Sequence, residues 1–235
     1  MSHQRWFGPG GTGLVSDGSP GERALPRTAL PVVAGVPKHL EAHLHRLEAG
    51  ALALGQPVAW LQDLSGELRD WLLAATLMET AALRLVLDPQ AGLLAAQLGP
   101  LPVAPRPCRL LLMPHPLGAR QADPRVTHKG LAGSWGKELL ALAQSRGADD
   151  ALLQWPDGTL AETTLAAVAL EVRGVLLVPP PLGRVASLAE RLELPEWART
   201  RGLRIRTTVL TPEAAGRGRL WCLNALRGIW PATLL

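Results

Sequence analysis

The sequence predicts an α/β protein of two halves, each mixing helices with strands. Three observations carry that prediction. Apolar residues recur at helical spacing in several segments, short runs of β-branched and leucine-rich sequence bounded by turn residues alternate with them, and a proline-rich stretch interrupts both patterns near the middle of the chain. With 235 residues, 47% hydrophobic and 19% charged, the chain can fill one large core or two smaller ones.

The elements follow in order. Residues 1–30 are rich in Gly, Pro and Ser and are expected to be irregular, with "ALPVVAGVP" at their end offering a short strand and turn. From Pro37 the segment "PKHLEAHLHRLEAGALALG" reads as a helix, with Leu40, Leu44, Leu47 and Leu54 on one face and Gly55 as its stop. A second helix, "SGELRDWLLAATLMETA", starts near Ser65. The runs "ALRLVLD" and "CRLLLMP" read as buried strands separated by a loop. These make an N-terminal α+β domain, residues 1–113. Residues 114–127, "PHPLGARQADPRVT", carry three prolines and no apolar periodicity, and read as an interdomain linker. The second α+β domain, 128–235, begins with a helix over about Gly133 to Arg146. A meander of antiparallel strands marked by "PDG" and "RG" turns comes next, then helices at "VASLAERLEL" and "PEWARTRG", a strand "RIRTTVL", a short helix after "TPEA", and the strand "RLWCLNAL".

Composition narrows the function classes. No apolar run reaches 18 residues, and the start has no apolar segment after a basic end, so a soluble, cytoplasmic protein without membrane contact is expected. Cys108 and Cys222 lie in apolar segments without metal-ligand spacing and read as reduced core residues. The net charge of +4 arises from arginines dispersed along the chain, which fits an anionic small ligand and not nucleic acid. The chain has no tyrosine, so a mechanism needing a phenol is excluded. His39 and His43 stand at i, i+4 but lack a third ligand; they read as surface histidines, and no metal is expected. Ser134 lacks the strand–turn–helix setting of a hydrolase nucleophile, and "GPGGTG" at 8–13 lacks the Lys-Ser/Thr of a phosphate loop.

Among 24 basic residues only Lys38, Lys129 and Lys137 are lysine. A lysine amine, unlike a guanidinium, can lose its proton when desolvated and attack a carbonyl carbon, so Lys129 in "RVTHKGLAGSW" is a candidate for imine chemistry. Glu162 in "TLAETT" follows the PDG turn with apolar neighbours. A carboxylate there either takes a cationic or protonated partner or sits at a half-solvated edge.

Taken in order, these motifs resemble the class IV aminotransferase family of pyridoxal-phosphate enzymes, which includes branched-chain and D-amino-acid aminotransferases and aminodeoxychorismate lyase. "HLEAHLHRLEAGALALG" is similar to the family helix whose His-x-x-Arg-Leu segment supplies an arginine to the cofactor phosphate, here Arg46. "THKGLAGSW" stands where the family has its Schiff-base lysine, and "GADDALLQWPDGTLAE" is similar to the segment ending in the glutamate that faces the pyridine nitrogen, here Glu162. "LTPEAAGRGRLWCLNALRGIWPA" resembles the closing segment, with "NALRGI" in the style of the lyase branch. The resemblance spans roughly residues 33 to 235. It implies a two-domain fold-type IV enzyme, a homodimer with the cofactor at the junction of the two halves. Lys129 is its catalytic residue; Arg46, Lys129, Glu162 and the loop Gly183, Arg184 and Val185 hold pyridoxal 5'-phosphate; Asn224 and Arg84 face the amino substrate.

Within the family the resemblance favours aminodeoxychorismate lyase, which gives 4-aminobenzoate and pyruvate for folate biosynthesis. The alternatives are a branched-chain or D-amino-acid aminotransferase, and a catalytically impaired relative that keeps the fold. The chain departs from the family pattern in several places. The segment with the active-site tyrosine and "FET" is replaced by "SDGSPGERALPRTALPV", Ala166 and Ala167 stand where the family has a hydroxyl residue and an asparagine, and the phosphate loop is shortened to "PLGRVAS". The anchors remain while the residues supporting them are thinned.

Overall fold

The computed structural model describes residues 3–9, 24–75, 80–105, 107–117, 123–131, 134–185 and 187–235. They form two compact units: Met1–Pro102 with His128–Gly133, and Val103–Thr127 with Ser134–Leu235. Lys129 therefore packs with the first unit, although the sequence placed it in the second half.

In the first unit, strands β1 (His3–Phe7), β2 (Arg27–Val33), β3 (Val36–Pro37), β4 (Thr80–Asp88) and β5 (Leu93–Gly99) form an antiparallel sheet in the order β1-β5-β4-β2-β3. One face is covered by α1 (Leu40–Ala53) and α2 (Leu64–Ala75). Alternation along the strands decides the faces. Leu30 and Val32 of β2, Leu83, Leu85 and Leu87 of β4, and Leu94, Ala96 and Leu98 of β5 meet Leu40, Leu44 and Leu47 of α1 and Leu68 and Leu72 of α2 in one core. The opposite face carries Arg27, Ala29, Arg84 and Gln97, with Ala29 and Gln97 paired on either side of Arg84.

Helix α1 begins at Leu40 and not Pro37, because Val36 and Pro37 form β3 and His39 takes a left-handed conformation, φ 55°, ahead of the first turn. Gly55, φ +71°, follows its end as expected, but Leu54 is exposed. Helix α2 ends at Ala75; Thr80 and Ala81, expected in that helix, belong to β4, and residues 76–79 lie outside the described residues. Two strands had no reading in the sequence. β1 falls in the stretch expected to be irregular, and β5 in the expected loop, where alanines and a glutamine dilute its apolar signal.

In the second unit an eight-stranded mixed sheet is built from β6 (Cys108–Pro114), β7 (Asp150–Gln154), β8 (Leu160–Thr163), β9 (Ala167–Val172), β10 (Val175–Val178), β11 (Arg204–Thr207), β12 (Arg219–Asn224) and β13 (Gly228–Leu234). Its order is β11-β10-β9-β12-β13-β6-β7-β8. The expected meander is two separate antiparallel hairpins, β7–β8 and β9–β10, because β12, β13 and β6 lie between them in the sheet. β13 was not anticipated, since its run is broken by Pro231. α4 (Trp135–Ser145) covers one part of the sheet, and α5 (Leu188–Leu192) and α6 (Leu194–Arg199) another. β7, β9 and β12, buried on both faces, read as nearly continuous apolar runs, whereas β11 at the edge is exposed throughout. α7 (Pro212–Ala215) is capped by the Thr211 hydroxyl. Within the expected linker, α3 (Pro124–Thr127) buries Val126, and His115 is buried, stacked on Trp155 with ring centroids 3.8 Å apart; residues 118–122 lie outside the described residues. Among the described residues no helix is long and apolar enough to cross a membrane.

Candidate active site

In the first unit, Lys129 follows α3 in a turn closed by the Leu131 amide donating to the His128 carbonyl at 3.2 Å. Its own carbonyl accepts from the Arg27 amide at 3.0 Å, which ties the lysine backbone to the start of β2. Gly130 makes this approach possible. It has φ +100°, and a Cβ there would stand 2.2 Å from the Leu25 carbonyl oxygen and 2.6 Å from Cγ of Arg27. Only glycine fits both the conformation and the space. Arg27 had no signal in the sequence, because its contact with Lys129 joins segments far apart in the chain.

Arg46 lies on α1 one turn beyond His43. His43 is not the surface residue expected from the sequence: it is 1% exposed and shares a 2.6 Å hydrogen bond between Nδ1 and the Thr28 hydroxyl. Burial, and then the charges of Arg46, Lys129 and His39, push its pKa down to about 3, so the ring is neutral at physiological pH. That shift records geometry as well as protonation. Arg46 and Lys129 both contribute to that shift, so the charges of both reach the buried imidazole. The His43–Thr28 pair was missed because only the fold brings β2 against α1. Arg84 of β4 is half-buried on the face of the sheet away from the core; a Cβ on Gly99 would stand 3.0 Å from its guanidinium.

In the second unit, Glu162 is on the edge strand β8, half-buried between the buried Ala161 and Thr163. Its Oε1 accepts the Val185 amide at 2.9 Å, which holds the carboxylate against the loop after β10. Gly183 turns that loop in the left-handed region, φ +74°. Arg184 is 2% exposed, and its fork grips both oxygens of Glu190 at 2.7 Å while donating to the carbonyls of Pro179 at 2.7 Å and Pro180 at 3.0 Å. Arg184 thus pins the loop through its side chain, and Val185 uses its amide on Glu162. Asn224 closes the β12–β13 turn: its Oδ1 accepts the amides of Leu226 and Arg227 at 3.1 and 2.9 Å, and its Nδ2 donates to the Leu165 carbonyl at 3.1 Å. The second-unit candidates therefore divide into a held carboxylate, a loop that holds it, and a turn residue.

The donor set fits pyridoxal phosphate. An amine and a guanidinium whose charges both reach an imidazole kept neutral suit an aldehyde on a dianionic phosphate, and a carboxylate held by a backbone N–H suits a ring nitrogen that has to keep its proton. Two mixed α/β units carrying these groups are the architecture of a fold-type IV pyridoxal-phosphate enzyme.

Residues 28–235 match the family model for amino-transferase class IV. The chain belongs to the class IV aminotransferase family, whose cofactor is pyridoxal phosphate. Solved structures agree in fold. A hypothetical aminotransferase from Mycobacterium tuberculosis, in its form with α-ketoglutarate and pyridoxamine phosphate, has a TM-score of 0.80 at 22% identity, covering 98% of this chain and 90% of its own. A putative 4-amino-4-deoxychorismate lyase from Legionella pneumophila has a TM-score of 0.76 at 22% identity, covering 89% and 82%. A putative branched-chain amino acid aminotransferase from Thermotoga maritima has a TM-score of 0.77 at 15% identity, covering 99% and 86%. At such identities the likeness is one of fold. No curated protein matches the chain.

Proposed function

We propose that this enzyme is an aminodeoxychorismate lyase, acting as a homodimer and releasing 4-aminobenzoate and pyruvate. Lys129 is the catalytic residue. Arg46 takes the cofactor phosphate and Glu162 the pyridine nitrogen, with Gly183, Arg184 and Val185 forming the loop that holds Glu162 and borders the cofactor. Arg84 and Asn224 lie on the substrate side. Bound there, pyridoxal phosphate supplies an electron sink for the carbon bearing the substrate's amine.

The chain's own groups then have separate tasks. Nζ of Lys129 takes the proton from that carbon as the bond to the departing enolpyruvyl oxygen breaks. It returns a proton to the methylene carbon of the departing group, which leaves as pyruvate while the ring becomes aromatic. No atom is gained from water or from a second substrate. Glu162 keeps a negative charge opposite the ring nitrogen, and the Val185 N–H keeps that carboxylate aimed. Arg46 neutralises phosphate as a fixed fork. His43 stays neutral and leaves the proton traffic to Lys129.

The observation that carries the reading is the backbone bond tying Lys129 to Arg27 at the start of β2, whose next residue Thr28 holds His43 of α1 one turn before Arg46. The choice of elimination over amino-group exchange rests on the likeness of "NALRGI" to the lyase branch. The test is a pyruvate assay on cofactor-loaded protein given aminodeoxychorismate and no keto acid. Pyruvate release that Lys129→Ala abolishes supports the lyase. Turnover of an amino acid only when a keto acid acceptor is present makes the enzyme an aminotransferase instead, and absence of a lysine-dependent cofactor absorbance band overturns the site assignment.

A further inference from the structure

β11 is an end strand of the eight-stranded sheet, paired in parallel with β10 on one side only. Its backbone groups alternate in direction. The amides of Arg204 and, just past the strand, Thr208 donate to the carbonyls of Gly174 and Val178 at 3.1 and 2.9 Å, so the N–H and C=O groups of Ile205 and Thr207 point to the open side. All four residues of β11 are exposed, and no other strand among the described residues covers that side.

The two faces of the strand differ. Arg204 and Arg206 lie on one, beside Val175 and Leu177 of β10, and have no ion-pair partner among the described residues. Ile205 and Thr207 lie on the other, beside Leu176 and Val178, where Ile205 is 41% exposed. Two carboxylates of neighbouring elements are engaged elsewhere: Glu171, across β10 on the Ile205 face, accepts the Trp221 indole N–H at 3.0 Å, and Glu196 is paired with Arg199. Arg173, exposed in the β9–β10 turn beside the Gly174 carbonyl that takes the Arg204 amide, adds a third cation at the start of β11.

Open sheet edges are commonly guarded by charge, and these arginines do keep a second copy away, since antiparallel pairing of β11 with itself would set arginine against arginine. Guarding alone leaves Ile205 exposed for no gain. We propose that β11 is a docking edge for an extended acidic peptide, which adds to the sheet as a further strand. The outward N–H and C=O groups of Ile205 and Thr207 pair with the peptide backbone, carboxylates at alternate positions meet Arg204 and Arg206, and the apolar side chains between them cover Ile205. A nucleic acid shares the negative charge but has no backbone amide to pair with the strand.

The test is fluorescence anisotropy of a labelled peptide that alternates glutamate and valine, titrated with the cofactor-loaded full chain at low salt. Saturable binding is expected. It should be lost with a peptide carrying lysine for glutamate and with one whose backbone amides are N-methylated, and weakened about tenfold or more by Arg204→Glu combined with Arg206→Glu, which turns two attractions into repulsions. The doubly reversed variant should bind the lysine peptide instead, a gain that a folding defect cannot mimic. Four outcomes overturn the proposal: no saturable change; equal affinity in the parent and the reversed variant, which places the peptide elsewhere; equal binding of the N-methylated peptide, which reduces the contact to charge; and tighter binding of oligothymidylate than of the acidic peptide, which makes the surface one for nucleic acid.

Discussion

Acidification should test the burial of His43 directly. The ring is 1% exposed, bonded to Thr28, and its pKa falls from 6.5 to about 3 because burial, and then Arg46, Lys129 and His39, disfavour a further positive charge. Above the unfolded-state pKa neither state holds the proton and the full stability is present. As pH falls below 6.5 the unfolded chain takes up a proton that the folded chain refuses until about 3, so stability is lost across that window. Each pH unit is worth ~1.4 kcal/mol, and by pH 4.5 the loss from this one group is about 3 kcal/mol. That is a large part of a stability of roughly 5–15 kcal/mol. Urea unfolding of cofactor-free protein at pH 7.5, 6.5, 5.5 and 4.5, beside His43→Asn, isolates the effect. The variant should be the less stable at pH 7.5, since it loses packing, and the gap should close by about 3 kcal/mol at pH 4.5, because other titrating groups cancel in the difference. A gap that stays constant with pH would mean that His43 protonates in the folded state, and the neutral-ring account of the site would fall.

Other perturbations have effects of different kinds. Glu162→Gln keeps an oxygen for the Val185 amide but removes the charge, so the cofactor should still bind while turnover drops ~10²-fold or more, at least ~2.7 kcal/mol in the transition state; turnover within about threefold of the parent at saturating cofactor would remove Glu162 from the site. Gly130→Ala forces a Cβ to within 2.2 Å of the Leu25 carbonyl at a positive φ, and should lower stability by about 2 kcal/mol or more while disturbing the Lys129–Arg27 backbone bond; an unchanged urea midpoint would contradict the packing. Arg184→Leu leaves Glu190 and two proline carbonyls without their donor, and about 3 kcal/mol should be lost in chemical denaturation, with the loop carrying Val185 loosened.

Much of this site could be read in the sequence where the signal is local. α1 and the β7–β8 hairpin are marked by periodicity and by a PDG turn, so the elements that carry Arg46 and Glu162 were read correctly. The single lysine of "THKG" was legible because arginine fills nearly every other basic position. What failed was non-local. His43 looked like a surface residue because Thr28, its partner, lies on a different element, and Arg27 gained meaning only from the bond between its amide and the carbonyl of Lys129. The loop of Gly183, Arg184 and Val185 read as cofactor-binding, but the commitment of the Arg184 guanidinium to Glu190 had no signal in the spacing of the residues. β5 and β13 were missed because alanine, glutamine and proline weaken the apolar alternation that pairing with neighbouring strands makes unnecessary.

The replacements around the anchors bear on how the chemistry would be divided. A chain without tyrosine has no phenol to share in proton transfer, and the hydroxyls nearest the assigned residues are already engaged: Thr28 with His43, Thr163 with the Ala166 carbonyl, and Thr164 with Asp150. Arg46 is a fixed cation, and His43 accepts no proton above about pH 3. In the first unit this leaves Lys129, among the residues assigned to the reaction, as the one whose amine can carry a proton to and from carbon. A reaction that takes one proton from carbon and returns one to a departing group on the same molecule can be run by one such residue. The thinning of the family's supporting residues therefore leaves proton transfer to Lys129 whether the amine-bearing carbon goes on to expel a group or the amino group is exchanged, since a single lysine can serve either route.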